Sequence, residues 1–356
     1  MGFSNLIILE KILLGIRKKN INYLTYLSLL SFVFINIFFY RIQEHGTDRS
    51  AQILIFILFI ELISLKNLKV LMDETFSKII IILALIISFK SFYILYSIFL
   101  IPLGIFLLNN KKINLQIYLF KNFSVYFFVL TIFLVTIISL LNTGCLVYPV
   151  SLTCFDNLSW AIPISEVNHM NNWYEQWSKA GAGPNFRVEN PQIYIQKFNW
   201  VGNWFQMYFF NKVSDFLLGL LFLILLFMVT FFRRKIKLDK KRFLLLYIIL
   251  LILFFEWFYF HPALRYGGYN LVALLIFIPT SLFLEKYSEN KSNFKKKVYI
   301  ILILAIAVFL IRNTGRIYNE YKAYNYNPIA NAYYKDFQQN FKISKNIENI
   351  NMCIDN

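Results

Sequence analysis

Long apolar blocks separated by short charged segments are the dominant pattern along the chain. A membrane-spanning helix needs about 20 mostly apolar residues, and about nine blocks approach that length. These candidate spans are 21–40, 51–65, 79–89, 91–108, 123–141, 213–232, 243–260, 269–284 and 298–312. The pattern predicts an all-α membrane protein with about nine transmembrane helices.

The apolar stretch 79–108 is interrupted only by Lys90. A single helix of this length would measure about 45 Å, whereas the bilayer core is about 30 Å thick. It would also reverse the side of every later loop. We predict a short paired or re-entrant unit that turns near Lys90, and we leave open whether 79–89 crosses completely.

The distribution of positive charge predicts the sidedness of the chain. With the N-terminus inside, the inside segments hold 22 of the 36 Lys and Arg residues. These segments are 1–20, 66–78, 109–122, 233–242 and 285–297. Positive residues favour the cytoplasmic side, so the net charge of +17 reflects topology and does not indicate nucleic-acid binding.

The composition supports the same class of protein. Hydrophobic residues make up 58% of the chain and charged residues 15%, against about 25% charged in soluble domains. These values exclude an ordinary soluble enzyme and a disordered chain. We expect a polytopic domain over 1–312, with a large external loop over 142–212, and an external tail over 313–356. The expected location is the bacterial inner membrane.

The N-terminal 20 residues carry positive charge but no small-residue cleavage site, so no cleavable signal peptide is predicted. The apolar residues 6–14 also fit the end of an earlier helix, in which case the chain is N-terminally incomplete.

Candidate chemistry falls on the predicted outer face. In the first outside loop, Glu44 and Asp48 stand beside His45 and Arg49. Carboxylates at a membrane boundary can act as a general base, bind a divalent cation or orient a sugar hydroxyl. In the alternative interpretation, Asp48 caps the following helix and Glu44 pairs with Arg41.

Arg265 is the strongest candidate for substrate binding. Its guanidinium lies beside His261 and Tyr266 and precedes Gly267 and Gly268. A planar guanidinium matches a phosphate oxygen pair, and glycines let the backbone approach a ligand. The alternative is an anchor on a lipid phosphate.

Glu256 interrupts an apolar span, and a buried carboxylate usually faces a partner or a wet cavity. Pairing with His261 or Arg265 is the structural interpretation, and a place in a functional cleft is the other.

Two tryptophan pairs lie in the large external loop at a spacing of four residues. They are Trp173 with Trp177, and Trp200 with Trp204. This spacing places each pair on one helical face. Two amphipathic helices on the membrane surface would explain the pairs, and a platform for sugar rings is the alternative.

Cys145 and Cys154 lie in the same external loop, so an oxidising periplasm favours a disulfide between them. Two reduced, buried cysteines are the alternative. The loop lacks CxxC spacing and neighbouring histidines, so a zinc site is not predicted.

Several motifs resemble those of an uncharacterised family of bacterial multi-spanning membrane proteins associated with surface-polysaccharide genes. The motifs are residues 142–155, 174–181, 198–200 and 44–49. The architecture of that family is similar to the GT-C glycosyltransferases. The resemblance implies a lipid-phosphate-linked sugar donor on the outer side of the membrane.

Longer members of the family carry additional N-terminal spans, and GT-C enzymes bear an essential acid in their first outside loop. The resemblance therefore leaves Asp48 as either the catalytic acid or a secondary site residue. Two functions stay open: a membrane glycosyltransferase or related glycan polymerase or ligase, and a non-enzymatic component of polysaccharide export or an inactive fragment.

Overall fold

The computed structural model describes residues 2–17, 21–40, 48–65, 72–108, 115–182, 188, 190–232, 244–286 and 291–324. Helices dominate these residues, and no strand occurs among them. The first seven helices are α1 (Gly2–Arg17), α2 (Tyr23–Phe38), α3 (Asp48–Leu65), α4 (Met72–Phe89), α5 (Leu100–Leu108), α6 (Leu115–Lys121) and α7 (Phe123–Thr143). The rest are α8 (Ile164–Lys179), α9 (Pro191–Ile195), α10 (Val201–Trp204), α11 (Ser214–Phe231), α12 (Leu244–Phe260), α13 (Gly268–Lys286) and α14 (Lys291–Tyr324).

Every predicted apolar block coincides with helix, which confirms the all-α class. Three helical segments are long and apolar enough to cross a membrane: Phe123–Thr143, Val201–Phe231 and Gly268–Lys286. The second of these joins α10 to α11 through a π-helical segment, Phe205–Val213. Three further apolar helices are shorter: Tyr23–Phe38, Phe92–Leu108 and Leu244–Phe260.

The helix breaks at Lys90, as predicted. Lys90 has an extended backbone and separates α4 from a 3₁₀ helix, Ser91–Phe99, that packs against α4. Lys90 therefore lies at the junction between two apolar helices and not inside a single helix.

Two predicted boundaries differ from the structure. Helix α14 continues to Tyr324, so residues 313–324 extend a helix instead of opening a tail. Trp200 directly precedes the long segment Val201–Phe231 and Trp204 lies in its first turn, so the pair does not lie on a separate surface helix. In both cases the helix runs past the predicted apolar block, because the residues that flank the block also adopt helical structure.

The core centres on α2, which packs against α1, α3, α13 and α14. Phe34 of α2 is fully buried and stacks with Phe38, while Phe56 of α3 and Phe277 of α13 contact its ring. On the opposite end of α3, the buried Glu61 accepts a 2.8 Å hydrogen bond from Lys11 of α1. Aromatic packing and this ion pair fix α3, whose first residue is Asp48.

Helix α7 differs from the core helices because only 6% of its apolar window is buried. It packs mainly against α4, and most of its large apolar side chains are exposed.

Candidate functional site

Asp48, Lys90 and Arg265 form one ion-paired group, called here the Asp48 cluster. The Asp48 Oδ1 accepts a 2.6 Å hydrogen bond from Lys90 Nζ, and its Oδ2 accepts a 2.8 Å bond from Arg265 Nε. Three segments contribute to the cluster: the first turn of α3, the break after α4, and the 3₁₀ turn Leu264–Tyr266. The carboxylate is nearly buried, whereas the side chains of Lys90 and Arg265 are 31% and 55% exposed.

The loop that carries Arg265, residues 261–267, is held by hydrogen bonds from surrounding side chains. Trp204 Nε1 donates to the Pro262 carbonyl at 3.1 Å, and Trp257 Nε1 donates to the Ala263 carbonyl at 2.9 Å. Gln52 Nε2, one turn along α3 from Asp48, donates to the Arg265 carbonyl at 2.6 Å. Buried backbone acceptors are therefore satisfied, and the position of Arg265 is determined by packed helices.

Gly267 ends this loop at φ +113, a left-handed conformation that side chains rarely adopt. The backbone conformation at position 267 therefore explains why a glycine follows Tyr266 in the sequence.

Among the described residues, the charge around Asp48 is positive on balance. Three cations stand there against one carboxylate: Lys90, Arg265 and the neighbouring Arg49. The Arg49 guanidinium lies 4.8 Å from the centroid of the Phe39 ring and 5.0 Å from that of Tyr269. Exposed cations in excess over carboxylate suit an anionic ligand.

A divalent cation is less suited to this position. Both oxygens of Asp48 already accept from positively charged donors. Over the ranges that the structure describes, no group of three His, Cys, Asp or Glu residues comes together to hold a metal ion.

Aromatic rings form one side of the cluster. Lys90 Nζ lies 4.5 Å from the Tyr266 ring centroid, and Trp177 packs edge-on against Tyr266 with centroids 5.9 Å apart. The His261 ring contacts Tyr266 and Phe92 at 5.8 and 5.3 Å. These rings give the cation site a wall on which the apolar face of a ligand could pack.

His261 is a neutral group at this wall. Burial lowers the pKa of His261 to about 4, and the charges of Lys179 and Lys90 act in the same direction. Its Nδ1 lies 3.5 Å from the Ser178 hydroxyl. At neutral pH the imidazole therefore adds hydrogen-bonding capacity without adding positive charge.

A second ion pair, at the end of α8, holds together the segment behind this wall. Lys179, the last residue of α8, is fully buried and pairs with Glu175 one turn earlier. Its Nζ also donates to the Ile195 carbonyl at 2.8 Å and lies 5.3 Å from the Trp200 ring centroid. Burial lowers the pKa of Lys179, although the Glu175 carboxylate opposes that shift.

The remaining candidates are divided by burial. Trp173 is exposed and Trp177 is partly exposed, so α8 presents an accessible aromatic face. Trp200 and Trp204 are buried, 0% and 3% exposed, and pack edge-on against each other. Both rings pack against Phe258 of α12, and Lys179 lies over the Trp200 ring, so the pair forms part of the core in this structure.

Glu256 is half-buried on α12, and within the described residues it forms no ion pair. The expected pairing of Glu256 with Arg265 is wrong, because the Arg265 guanidinium pairs with Asp48. The other expected partner, His261, contacts Ser178, Phe92 and Tyr266 instead. Glu44 and His45 lie outside the described residues.

Sequence reasoning missed three residues of the site. Lys90 was interpreted only as the break in an apolar stretch, although an isolated lysine at such a break could have indicated a buried carboxylate partner. Gln52 and Lys179 gave no sequence signal beyond being polar.

The structure joins Cys145 and Cys154 through a disulfide, with their Cα atoms 3.8 Å apart. The disulfide directly follows α7, which ends at Thr143, and it includes no residue of the Asp48 cluster.

A family model described as "Domain of unknown function (DUF8201)" matches residues 1–272 of the 356. No curated protein matches the chain. No solved structure matches it.

Proposed function

The chain belongs to the DUF8201 family, and we propose that it is a multi-pass inner-membrane glycosyltransferase of cell-surface polysaccharide assembly. Its donor would be a sugar linked to a polyprenyl phosphate, bound at the periplasmic face. The observation that carries this proposal is the Asp48 cluster: a carboxylate held by two partly exposed cations, beside an aromatic wall.

Membrane insertion is supported by the unburied apolar helices. Side chains such as Phe133, Leu218 and Ile303 are more than half exposed. Exposing apolar surface over whole helices to water would be energetically unfavourable, whereas lipid can cover it. The proposed topology has about nine spans, with the N-terminus inside and residues 142–212 outside.

The cluster suggests roles for its residues. Arg265 and Lys90 would hold the donor phosphate in place of Asp48, and Arg49 would add to the positive potential. Trp177 and Tyr266 would pack against the sugar, with Trp173 further out along α8. An acceptor hydroxyl would attack the anomeric carbon, its proton would pass to Asp48, and the polyprenyl phosphate would leave.

A non-enzymatic binding protein of polysaccharide export is the second candidate. It is favoured by the engagement of both Asp48 oxygens with cations, because each oxygen already accepts a hydrogen bond from a cationic side chain and neither is directed at an acceptor hydroxyl. In that case the cluster would bind a lipid phosphate without transferring its sugar.

The proposed topology makes a direct prediction for reporter fusions. A fusion within the basic run 233–242 should be active in the cytoplasm, and a fusion after Asn157 should be active only in the periplasm. Periplasmic activity at Lys237 would contradict the topology and every role that depends on it.

Arg265 provides the test of phosphate binding. A short polyprenyl phosphate should bind Arg265→Ala about 30–150-fold more weakly than the parent, because a charge-assisted contact contributes roughly 2–3 kcal/mol. Arg265→Lys should also bind weakly, since an ammonium cannot reproduce the planar fork.

The control is Arg316→Ala on α14, where the arginine pairs with Glu320 at 3.7 Å. Binding would be measured by titration in detergent, with a neutral polyprenol as the second control. If Arg265→Ala binds like the parent, the phosphate site is elsewhere.

A further inference from the structure

The loop closed by Cys145 and Cys154, called here the disulfide loop, is built rigidly onto the end of α7. Gly144 ends the helix at φ +77, and its amide donates to the Leu140 carbonyl at 2.8 Å. Phe155 N donates back to the Gly144 carbonyl at 2.8 Å, and Ile162 N donates to the Thr143 carbonyl at 3.1 Å. The chain after the helix is therefore folded against the helix terminus.

Hydrogen bonds within the loop fix its tip as well. Leu146 N donates to the Thr153 carbonyl at 3.0 Å, and the Thr153 hydroxyl donates to the Val147 and Val150 carbonyls. Together with the disulfide, these bonds leave the loop little freedom to fold its side chains inward.

This rigid loop nevertheless presents apolar side chains to its surroundings. Leu152 at the tip is 97% exposed. Four other large apolar side chains of the loop and its flank are also exposed: Leu146, Val150, Phe155 and Trp160. A fixed surface of this kind indicates an apolar partner.

The length of α7 determines where the loop lies. Its 21 residues span about 31 Å, which matches a bilayer core of about 30 Å. The loop therefore begins where the hydrocarbon ends. Trp160 donates from its indole to the Leu140 carbonyl at 3.3 Å, which holds the ring at the level of the last helical turn. Tryptophan is enriched at that depth of the membrane.

Charge favours lipid over a protein groove lined with polar groups. The sequence contains no charged residue from 122 to 155, so helix and loop form one uncharged surface that ends at Asp156. Exposed apolar side chains run along α7 as far as Leu141 and resume in the loop at Leu146.

From this geometry we propose that the disulfide loop is an interfacial membrane anchor, with Leu152, Val150 and Trp160 seated in the outer leaflet of the bilayer. The disulfide and the hydrogen bonds present these side chains to the lipid without a change of conformation.

An environment-sensitive fluorescent amino acid at position 152 tests this proposal. The full chain would be reconstituted at high lipid-to-protein ratio, with the same probe at exposed Asn171 of α8 as the matched control. The probe at 152 should be quenched by lipids brominated in the upper acyl chain, and its quenching by aqueous iodide should be several-fold weaker than at 171.

Equal iodide quenching at the two positions would overturn the proposal. Shielding from both quenchers would overturn it too, because the loop would then contact protein, such as a second copy of the chain. Resistance of Cys145 and Cys154 to alkylation before reduction would verify that each probe variant keeps its disulfide. Polyprenyl-phosphate binding would be measured in the same samples. The two readouts distinguish a failure of the membrane-anchor proposal from a failure of the proposed function.

Discussion

Replacing Asp48 by asparagine is expected to abolish sugar transfer while it strengthens binding of a polyprenyl phosphate. In the structure the Asp48 carboxylate pairs with both Lys90 and Arg265, so an anionic ligand would compete with it for these cations. Asparagine removes the negative charge but keeps the shape and one carbonyl acceptor. Loss of a general base typically lowers a rate by about 10²–10⁴-fold, whereas removal of a neighbouring like charge should improve anion affinity.

The measurements are ligand affinity by titration and glycan formation in cells that depend on the variant. Asp215→Asn is the matched control, because Asp215 is exposed at the start of α11 and outside the cluster. Tighter binding with unchanged glycan formation would favour the non-enzymatic candidate. Weaker binding, as for Arg265→Ala, would mean that Asp48 mainly holds the two cations in position.

Replacing Glu175 by glutamine is expected to destabilise strongly the packing of α8 against the segment that contains Ile195 and Trp200. Lys179 is fully buried, and Glu175 is its only anionic partner among the described residues. Removing one partner of a buried ion pair typically costs about 3–5 kcal/mol, because the remaining charge stays away from water. A second substitution, Lys179→Met, should recover part of the loss, since it removes the unpaired charge.

The loss of stability should also shrink as the pH rises. Burial lowers the pKa of Lys179 in the folded state, and the unfolded chain binds this proton more tightly. Removing Glu175 enlarges the difference between the folded and unfolded pKa of Lys179. The stability of the variant therefore rises with pH between these two pKa values, where the unfolded chain binds the proton and the folded chain does not.

Thermal unfolding in detergent across a pH series would measure both effects. Glu74→Gln provides the control, because Glu74 and Lys78 form an exposed pair at the same spacing of four residues. Similar small changes in the two variants would show that Lys179 is stabilised by Ile195 and Trp200 rather than by Glu175.

The helical class and the break at Lys90 could be predicted because hydrophobicity and helix length are local properties of the sequence. The sequence also predicts Asp48 and Arg265 as candidates, each from its position beside the end of an apolar block. Their contact could not be predicted, since it joins residues 217 positions apart through the packing of α3 against the 3₁₀ turn Leu264–Tyr266.

The tryptophans show a different limit of sequence reasoning. A spacing of four residues places Trp173 with Trp177 and Trp200 with Trp204 on one face each, whether that face meets lipid, sugar or protein. Only tertiary packing separates the exposed Trp173 from the buried Trp200.

The hydrogen bonds that Trp204, Trp257 and Gln52 donate to the carbonyls of residues 262, 263 and 265 have a consequence for ligand recognition. A ligand that binds a flexible loop must also order that loop, and the entropy cost lowers its affinity. The backbone of residues 261–267 is instead already ordered by folding. In the proposed phosphate site, the affinity of Arg265 for an anion would then be governed by desolvation and charge. It should fall steeply with ionic strength and vary little with the length of the polyprenyl chain.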